Sequence, residues 1–138
     1  MIKVVIDTNV IVSGLLSPYG VSAEIIRMFI RGDLELYVDS RIMAEYEEVL
    51  KKPKFGFNRR QAGFFTDYIK HTAVFVTAAH IDISLKDPDD KPFLEVAAAG
   101  GVFCIVTGNI KHYPSKKLGR LKIFTPAKFL AAIKKSGP

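Results

Sequence analysis

Apolar residues along the chain occur in two patterns, one typical of strands and the other of helices. Short continuous runs predict strands that are buried on both faces of a sheet. These runs are 2–6, 34–38, 73–77, 102–106 and 121–124. In the longer segments between them, apolar residues recur every three or four positions, which predicts helices. Ile25, Ile26, Phe29 and Ile30 give this pattern to residues 21–31.

The remaining helices are bounded by residues that favour helix ends. Ser40 is predicted to cap a helix that runs to about Leu50, and Asn58 to cap one from Arg59 to about His71. Residues 8–16 lead into the helix 21–31, residues 87–99 form another helix, and a last helix begins at Pro126. Because strands and helices alternate, we expect an α/β fold: one domain over residues 1–138, with a small, mainly parallel sheet between helices.

Length and composition restrict the class of protein. The 138 residues suffice for one compact domain, and an apolar fraction of 49% supplies a buried core. Cys104 is the single cysteine, so no disulfide can form within the chain. No signal-peptide pattern follows the short run 1–6, and no stretch approaches the roughly 20 apolar residues of a spanning helix. We therefore expect a soluble, cytoplasmic protein with no membrane partner.

Basic residues are concentrated in the last third of the chain. The net charge is +6, and no acidic residue follows Glu95. The eight basic residues beyond it are Lys111, Lys116, Lys117, Arg120, Lys122, Lys128, Lys134 and Lys135. Charge alone favours a solvated surface, but a basic segment beside an acidic site also suits a bound polyanion. The candidate contacts to a nucleic acid are Lys111, Lys116, Lys117 and Arg120.

Three polar clusters lie where ligands gather in parallel sheets, near the carboxyl ends of strands. They are Asp7-Thr8-Asn9, Asp87-Pro88-Asp89-Asp90 and Thr107-Gly108-Asn109. Asp7 can be a helix cap, but Thr8 and Asn9 can do the capping and can also orient its carboxylate. In the second cluster, Pro92 indicates a cap near Asp89 or Asp90. Capping needs one carboxylate of three, so Asp90 is also a candidate for binding a cation.

Glu45 is the preferred candidate among the glutamates of the helix 40–50. Glu47 and Glu48 each have a lysine four residues further on, with which they can pair. Glu45 flanks the apolar stripe and has Val49 at that spacing, so it has no basic partner on that turn. We expect Glu45 to be the ligand, although periodicity alone leaves Glu47 open.

Other kinds of site find little support. The histidines, His71, His80 and His112, lack the spacing typical of zinc ligands, and a single cysteine argues against a structural zinc. No glycine-rich phosphate loop is present in the sequence. Ser13 and Ser40 have no histidine nearby in sequence that would indicate a catalytic triad.

The ordered set of motifs resembles that of PIN domains. Ile6-Asp7-Thr8-Asn9-Val10 is similar to their opening motif, and Asp87-Pro88-Asp89-Asp90, with Phe93, Leu94 and Ala97, to their central acidic motif. Val106-Thr107-Gly108-Asn109 resembles the late motif, and Ile123-Phe124-Thr125-Pro126 with Phe129-Leu130 the last strand and helix. The closest resemblance is to prokaryotic PIN proteins described as toxins of toxin–antitoxin pairs, relatives of the VapC type.

This resemblance implies a PIN-like three-layer α/β/α fold and a ribonuclease that depends on Mg²⁺ or Mn²⁺. The implied metal ligands are Asp7, Glu45 and Asp90, and the residues lining the site are Thr8, Asn9 and Thr107. A fourth catalytic position falls on Asn109, where many members have aspartate. Hard cations prefer such oxygen ligands and can activate water for attack on a phosphodiester. Because an amide adds no charge, we expect one well-held metal, with any second arriving with the substrate.

Three functions compete. The first is an endoribonuclease, restrained by an antitoxin protein and, like many relatives, a homodimer. The second is a module on the same fold that binds RNA or a protein without cutting, with Asn109 as a sign of decay; it predicts salt-sensitive RNA binding. The third is a DNA nuclease acting on flaps or damaged strands with the same metal chemistry. Incubation with varied RNAs, in Mn²⁺ and in EDTA, separates the first two.

Overall fold

The computed structural model describes residues 1–114 and 118–136, which contain five strands and six helices. The strands are β1 (Ile2–Ile6), β2 (Leu34–Val38), β3 (Val74–Phe75), β4 (Cys104–Val106) and β5 (Lys122–Phe124). The helices are α1 (Thr8–Leu16), α2 (Val21–Ile30), α3 (Ser40–Leu50), α4 (Arg59–Thr72), α5 (Lys91–Gly100) and α6 (Pro126–Ser136). Short 3₁₀ turns lie at Pro53–Phe55, Pro88–Asp90 and Ile110–His112.

The strands form one sheet in the order β3-β2-β1-β4-β5, and every neighbouring pair is parallel. Val4, Val5 and Ile6 of the central strand are all buried. Successive side chains of a strand point to opposite faces, so both faces of the sheet are covered. The predicted α/β class, with a small parallel sheet between two helical layers, is confirmed.

The register of β1 against β4 determines which residues meet at the end of the sheet. Ile6 is paired with Val106, and the Asp7 N–H donates to the Val106 carbonyl at 2.9 Å. Asp7 and Thr107, each the first residue beyond its strand, therefore lie side by side. Parallel strands end at the same edge, which is where the polar clusters were expected to gather.

Three strands are shorter than predicted, and two of them, β3 and β5, lie at the edges of the sheet. The run 73–77 contributes only Val74–Phe75 to the sheet, and β4 and β5 begin two and one residues later than expected. Among the described strands, β3 pairs with β2 alone, and its Phe75 is exposed. An apolar run on an edge has hydrogen-bonding partners on one side only, so the run extends beyond the strand that forms.

Helix caps were predicted correctly at one position and missed by one residue at another. Asn58 caps α4, because its Oδ1 accepts from the backbone N–H groups of Arg60 and Gln61 at 2.9 and 3.3 Å. The predicted cap of α3, Ser40, is instead the first helical residue. The Asp39 carboxylate accepts from the Ile42 N–H at 3.0 Å, the position and bond of an N-cap.

Helices α1 and α2 meet at a sharp corner and pack unusually closely. A β-carbon at Gly14 would lie 2.4 Å from Ile26 Cδ1 and 2.9 Å from the Ser22 carbonyl oxygen, so only glycine fits there. Across the described residues, no single helix has the length and apolarity to cross a membrane. The α1–α2 pair passes that test jointly, by length and composition, but is bent by 100°.

Candidate functional site

Three carboxylates from distant parts of the chain converge at the carboxyl edge of the sheet. Asp7 follows β1, Glu45 lies on α3, and Asp90 ends the 3₁₀ turn that leads into α5. Their negative charges act on one another: Asp90 raises the pKa of Asp7, Asp7 that of Glu45, and Glu45 that of Asp90. The three carboxylates that the sequence grouped as ligands therefore lie close enough to raise one another's pKa. Among the described residues, the ligand atoms that come within 4.8 Å of one another are those of Asp87, Asp90 and His112.

Asp7 is held by a hydroxyl group from the adjacent strand end. Its side chain is buried, at 5% exposure, and the Thr107 hydroxyl donates to Oδ2 at 2.7 Å. Burial raises the pKa of Asp7, and the bond from Thr107 offsets this only in part. The expected orienting side chains, Thr8 and Asn9, turn elsewhere: Thr8 donates to Glu45, and Asn9 Oδ1 accepts from the Gly108 N–H at 3.3 Å. The parallel pairing of β1 with β4 places the Thr107 hydroxyl, instead of Thr8 or Asn9, against the Asp7 carboxylate. Residues next to Asp7 in the sequence do not reveal this pairing.

Glu45 and Glu47, both left open by periodicity, have different surroundings. Glu45 accepts a hydrogen bond from the Thr8 hydroxyl, and burial followed by the charges of Asp7 and Asp89 raises its pKa. Glu47 instead pairs with Lys70 of α4, at 3.3 Å. The expected pairs of Glu47 and Glu48 with lysines four residues on are not formed in the described part of the chain, because α4 offers Glu47 a cation across the helix interface.

Asp90 is the cap residue of α5 by position, as predicted, but its carboxylate does no capping. Asp87 accepts from the Asp89 N–H at 3.0 Å and closes the 3₁₀ turn. Asp90, at 8% exposure, faces His112, whose Nδ1 lies 2.8 Å from Oδ2. Burial raises the pKa of Asp90, and the His112 contact opposes that effect. Ligand atoms of Asp87, Asp90 and His112 all lie within 4.8 Å of one another, so this corner holds a group that can bind a cation.

Two residues of the site were not identified from the sequence. The spacing of His112 argues against a zinc site and indicates no other role, and no sequence pattern indicates Tyr113. Tyr113 is 4% exposed, and its hydroxyl has no hydrogen-bond partner among the described residues. Burial, then the charges of Asp7, Asp90 and Glu45, raise the pKa of this hydroxyl. Sequence position was the signal that could have indicated them. His112 and Tyr113 follow Thr107 closely in the chain, so they lie near the same edge of the sheet.

The remaining predicted residues lie outside this cluster. Asn109 is exposed, and its backbone N–H donates to Thr107 Oγ1 at 3.0 Å. Lys111 and Arg120 are exposed and form no ion pair with any described residue. Lys116 and Lys117 lie outside the described residues. The site therefore offers three central carboxylates and an amide at its rim.

The arrangement favours a hard cation. Asp7, Glu45 and Asp90 offer carboxylate oxygens, and no lysine or arginine among residues 1–114 and 118–136 pairs with them. Like charges in a buried site raise the free energy of the ionised state unless a cation offsets them. The Tyr113 hydroxyl, which has no partner in the described part of the chain, adds a further oxygen near these carboxylates. This donor set fits Mg²⁺ or Mn²⁺.

Together, the fold and this cluster define an α/β domain with an acidic site at the carboxyl edge of its sheet. The model of the PIN domain family matches residues 3–111, and the chain belongs to that family, as predicted. Its fold is similar to that of a chain in the crystal structure of VapBC2 from Rickettsia felis bound to a DNA fragment from their promoter. That match has 13% identity and a TM-score of 0.55, and covers 90% of this chain and 98% of the other. Among curated proteins, none matches.

Proposed function

We propose that this PIN domain is an endoribonuclease that depends on Mg²⁺ or Mn²⁺. The observation that carries the proposal is the convergence of Asp7, Glu45 and Asp90, whose pKa values are all raised and whose charges no lysine or arginine of the described chain offsets. Membership of a nuclease family gives this acidic cluster its chemical interpretation.

Each residue has a distinct role in this proposal. Asp7, Glu45 and Asp90 hold the cation, which when bound supplies activated water and offsets the charge that develops on phosphorus. Thr107 orients Asp7, Thr8 orients Glu45, and His112 orients Asp90 through the contacts described above. Such outer hydrogen bonds fix the direction of ligand oxygens. With Asn109 at the rim, the site has three acidic ligands, and we expect one tightly held metal.

We further propose that the protein acts as the toxin of a toxin–antitoxin pair, in the cytoplasm and as a homodimer. The support is the shared fold with a chain of a VapBC2 assembly, in addition to the family. Induced expression should arrest bacterial growth, and an Asp90→Asn variant should not. A small gene beside this one, whose product restores growth and binds the protein, would be the antitoxin.

The decisive test is cleavage of varied single-stranded and structured RNAs by purified protein, with Mn²⁺ and with EDTA. We expect cutting in Mn²⁺ only, and a loss of at least about 100-fold in Asp7→Asn and in Asp90→Asn. Both variants remove a charge that burial disfavours, so in EDTA their melting temperatures should equal or exceed the wild-type value. Reduced cleavage therefore cannot be attributed to unfolding.

The same assay distinguishes the other functions. Cutting of flap or damaged DNA but not RNA would indicate the DNA nuclease. RNA binding without cutting, in any divalent ion, would favour the non-catalytic module that exposed Asn109 suggests. Full cleavage by either asparagine variant would exclude the assigned site.

A further inference from the structure

The connection between α3 and α4 is strongly basic. Residues 51–60 contain five cations, and no acidic residue occurs between Glu48 and Asp67. The cations are Lys51, Lys52, Lys54, Arg59 and Arg60. All five are exposed, and none is in an ion pair with another described residue. This basic segment, residues 51–60, is thus an unneutralised positive surface, which attracts polyanions.

Two aromatic rings lie within the basic segment. The Phe55 and Phe57 ring centroids are 6.0 Å apart, with 32° between the ring planes. Lys54 Nζ lies 5.0 Å from the Phe55 centroid. Between the two rings, Gly56 has φ 66°, a left-handed conformation that turns the chain. A cation beside aromatic faces is the combination with which proteins bind unpaired nucleotides.

A groove of about 450 Å³ connects this segment to the acidic site. It is lined by Thr8 and Asn9, which follow Asp7 in the chain, and Thr8 donates to Glu45. Further residues of α1 line it, together with Lys52, Lys54 and Phe55 of the basic segment. A strand cut at the carboxylates would therefore run along α1 to the basic segment.

We infer that this groove binds single-stranded RNA on one side of the scissile bond, with Lys52 and Lys54 on phosphates and Phe55 stacked on a base. The inference rests on the proposed function and names its substrate subsite. Single-stranded RNA suits the groove because stacking needs an unpaired base, which a duplex does not present. An acidic peptide would match the lysines but would not need a path that begins at the carboxylates.

The test is the affinity for a fluorescent single-stranded RNA of about a dozen nucleotides, measured by anisotropy in EDTA, where no cutting occurs. Lys52→Gln with Lys54→Gln should weaken binding about 10-fold or more and lower the salt slope by about 1.4, the value for two phosphates. Phe55→Leu keeps an apolar side chain but removes the ring, and should weaken binding about 5- to 100-fold. It should leave affinity for duplex RNA of that length unchanged.

The matched control is Lys134→Gln with Lys135→Gln, which removes the same charge from exposed positions on α6. We expect the affinity for RNA to fall by no more than about twofold. The salt slope should change less than in the groove variants, because these charges are distant from the groove. An equal loss in both double variants would overturn the inference, because it would indicate attraction by net charge alone. Unchanged RNA affinity in the groove variants, with loss of poly-glutamate binding, would assign the groove to a protein and also overturn it.

The cleavage assay tests the nuclease proposal, and the binding assay tests the RNA groove independently of it. If the wild-type protein cuts RNA and the groove variants bind it normally, the subsite is wrong and the nuclease assignment stands. If no RNA is cut in any divalent ion but the groove variants lose affinity as described, the nuclease is wrong and the RNA groove stands.

Discussion

Thr107 is the residue on which the order of the acidic site depends most directly. It is fully buried, donates to Asp7 and accepts from the Asn109 N–H, so one hydroxyl joins the ends of β1 and β4. A buried carboxylate that loses one of its hydrogen-bond donors is solvated less well. The hydroxyl therefore has a positioning role as well as a structural one.

Thr107→Val should separate these roles, because valine has nearly the same shape without the hydroxyl. We expect cleavage to fall about 10- to 100-fold and the Mn²⁺ midpoint to rise, since Asp7 is no longer oriented. Thr107→Ser keeps the hydroxyl and should retain most of the activity. Measurement of kcat/KM at several Mn²⁺ concentrations checks both variants. Equal activity in the two would mean that the hydroxyl does not position Asp7.

At the level of single residues, the sequence indicates three carboxylates that lie at the carboxyl edge of the sheet, but not the side chains that contact them. Asp7 and Asp90 stand in recognisable local patterns, and Glu45 was distinguished by its lack of a lysine one turn on. Thr107 was expected only to line the site. Its bond to Asp7, like the contact of His112 with Asp90, joins residues far apart in the chain, and local patterns carry no information on such contacts.

At the level of helices and strands, the corner between α1 and α2 predicts that an alanine in place of a helical glycine lowers stability, the opposite of the usual effect. Alanine normally stabilises a helix relative to glycine by up to about 1 kcal/mol. At Gly14 we expect Gly14→Ala to lower the free energy of unfolding by about 1–3 kcal/mol, because its β-carbon would collide with Ile26 and the Ser22 carbonyl.

Gly63 of α4 is the matched control, because a β-carbon there meets nothing within 4 Å. Gly63→Ala should leave stability unchanged or raise it by up to about 1 kcal/mol. Urea denaturation of the two variants measures both effects. If Gly14→Ala were as stable as Gly63→Ala, the two helices would not need the close approach described here.

The positions of the strands and helices were well predicted, because hydrophobic periodicity depends on residues that are close in sequence. The ends of these elements were predicted less accurately, because they depend on other contacts. β3 shortened because it lies at an edge with one partner. The cap of α3 is Asp39, whereas the sequence predicts Ser40. Both are good capping residues, and the backbone conformation decides between them. The order β3-β2-β1-β4-β5 depends on pairing between distant strands, which periodicity does not specify.

Across the whole molecule, an ion pair between exposed Arg41 and buried Glu95 connects the parts that carry the site. Glu95 of α5 is 3% exposed, and Arg41 of α3 donates to its Oε1 at 2.8 Å. Its other oxygen accepts from the Ile81 N–H at 2.8 Å, which fixes the segment before Asp87. Burial raises the pKa of Glu95, but these hydrogen bonds outweigh it and leave the pKa lowered. Arg41 thereby holds the helices of Glu45 and Asp90 together.

This lowered pKa predicts acid sensitivity. The ionised Glu95 stabilises the fold fully above its unfolded pKa of 4.5, and that contribution is lost as the pH falls through the lower folded value. Glu95→Gln should lower the free energy of unfolding at pH 7 by about 1–3 kcal/mol, with a difference from wild type that shrinks below pH 4.5. Thermal melts from pH 3 to 7 measure that difference.

Asp82→Asn is the control for that experiment, because Asp82 is exposed and forms no ion pair with a described residue. Its melts should match wild type at every pH. A Glu95→Gln deficit that stayed constant down to pH 3 would contradict the assignment, because the loss would then come from packing and not from charge.

The register of β1 against β4 has a consequence for the timing of synthesis. β2 can pair with β1 soon after both leave the ribosome, but β4 and Thr107 follow about 100 residues after Asp7. When Asp7, Glu45 and Asp90 have all left the ribosome, the nascent chain still lacks β4, which pairs beside Asp7. It also lacks the Thr107 hydroxyl, which orients the Asp7 carboxylate. The acidic centre is therefore among the last parts of the molecule to form, and chains truncated before β4 cannot assemble it.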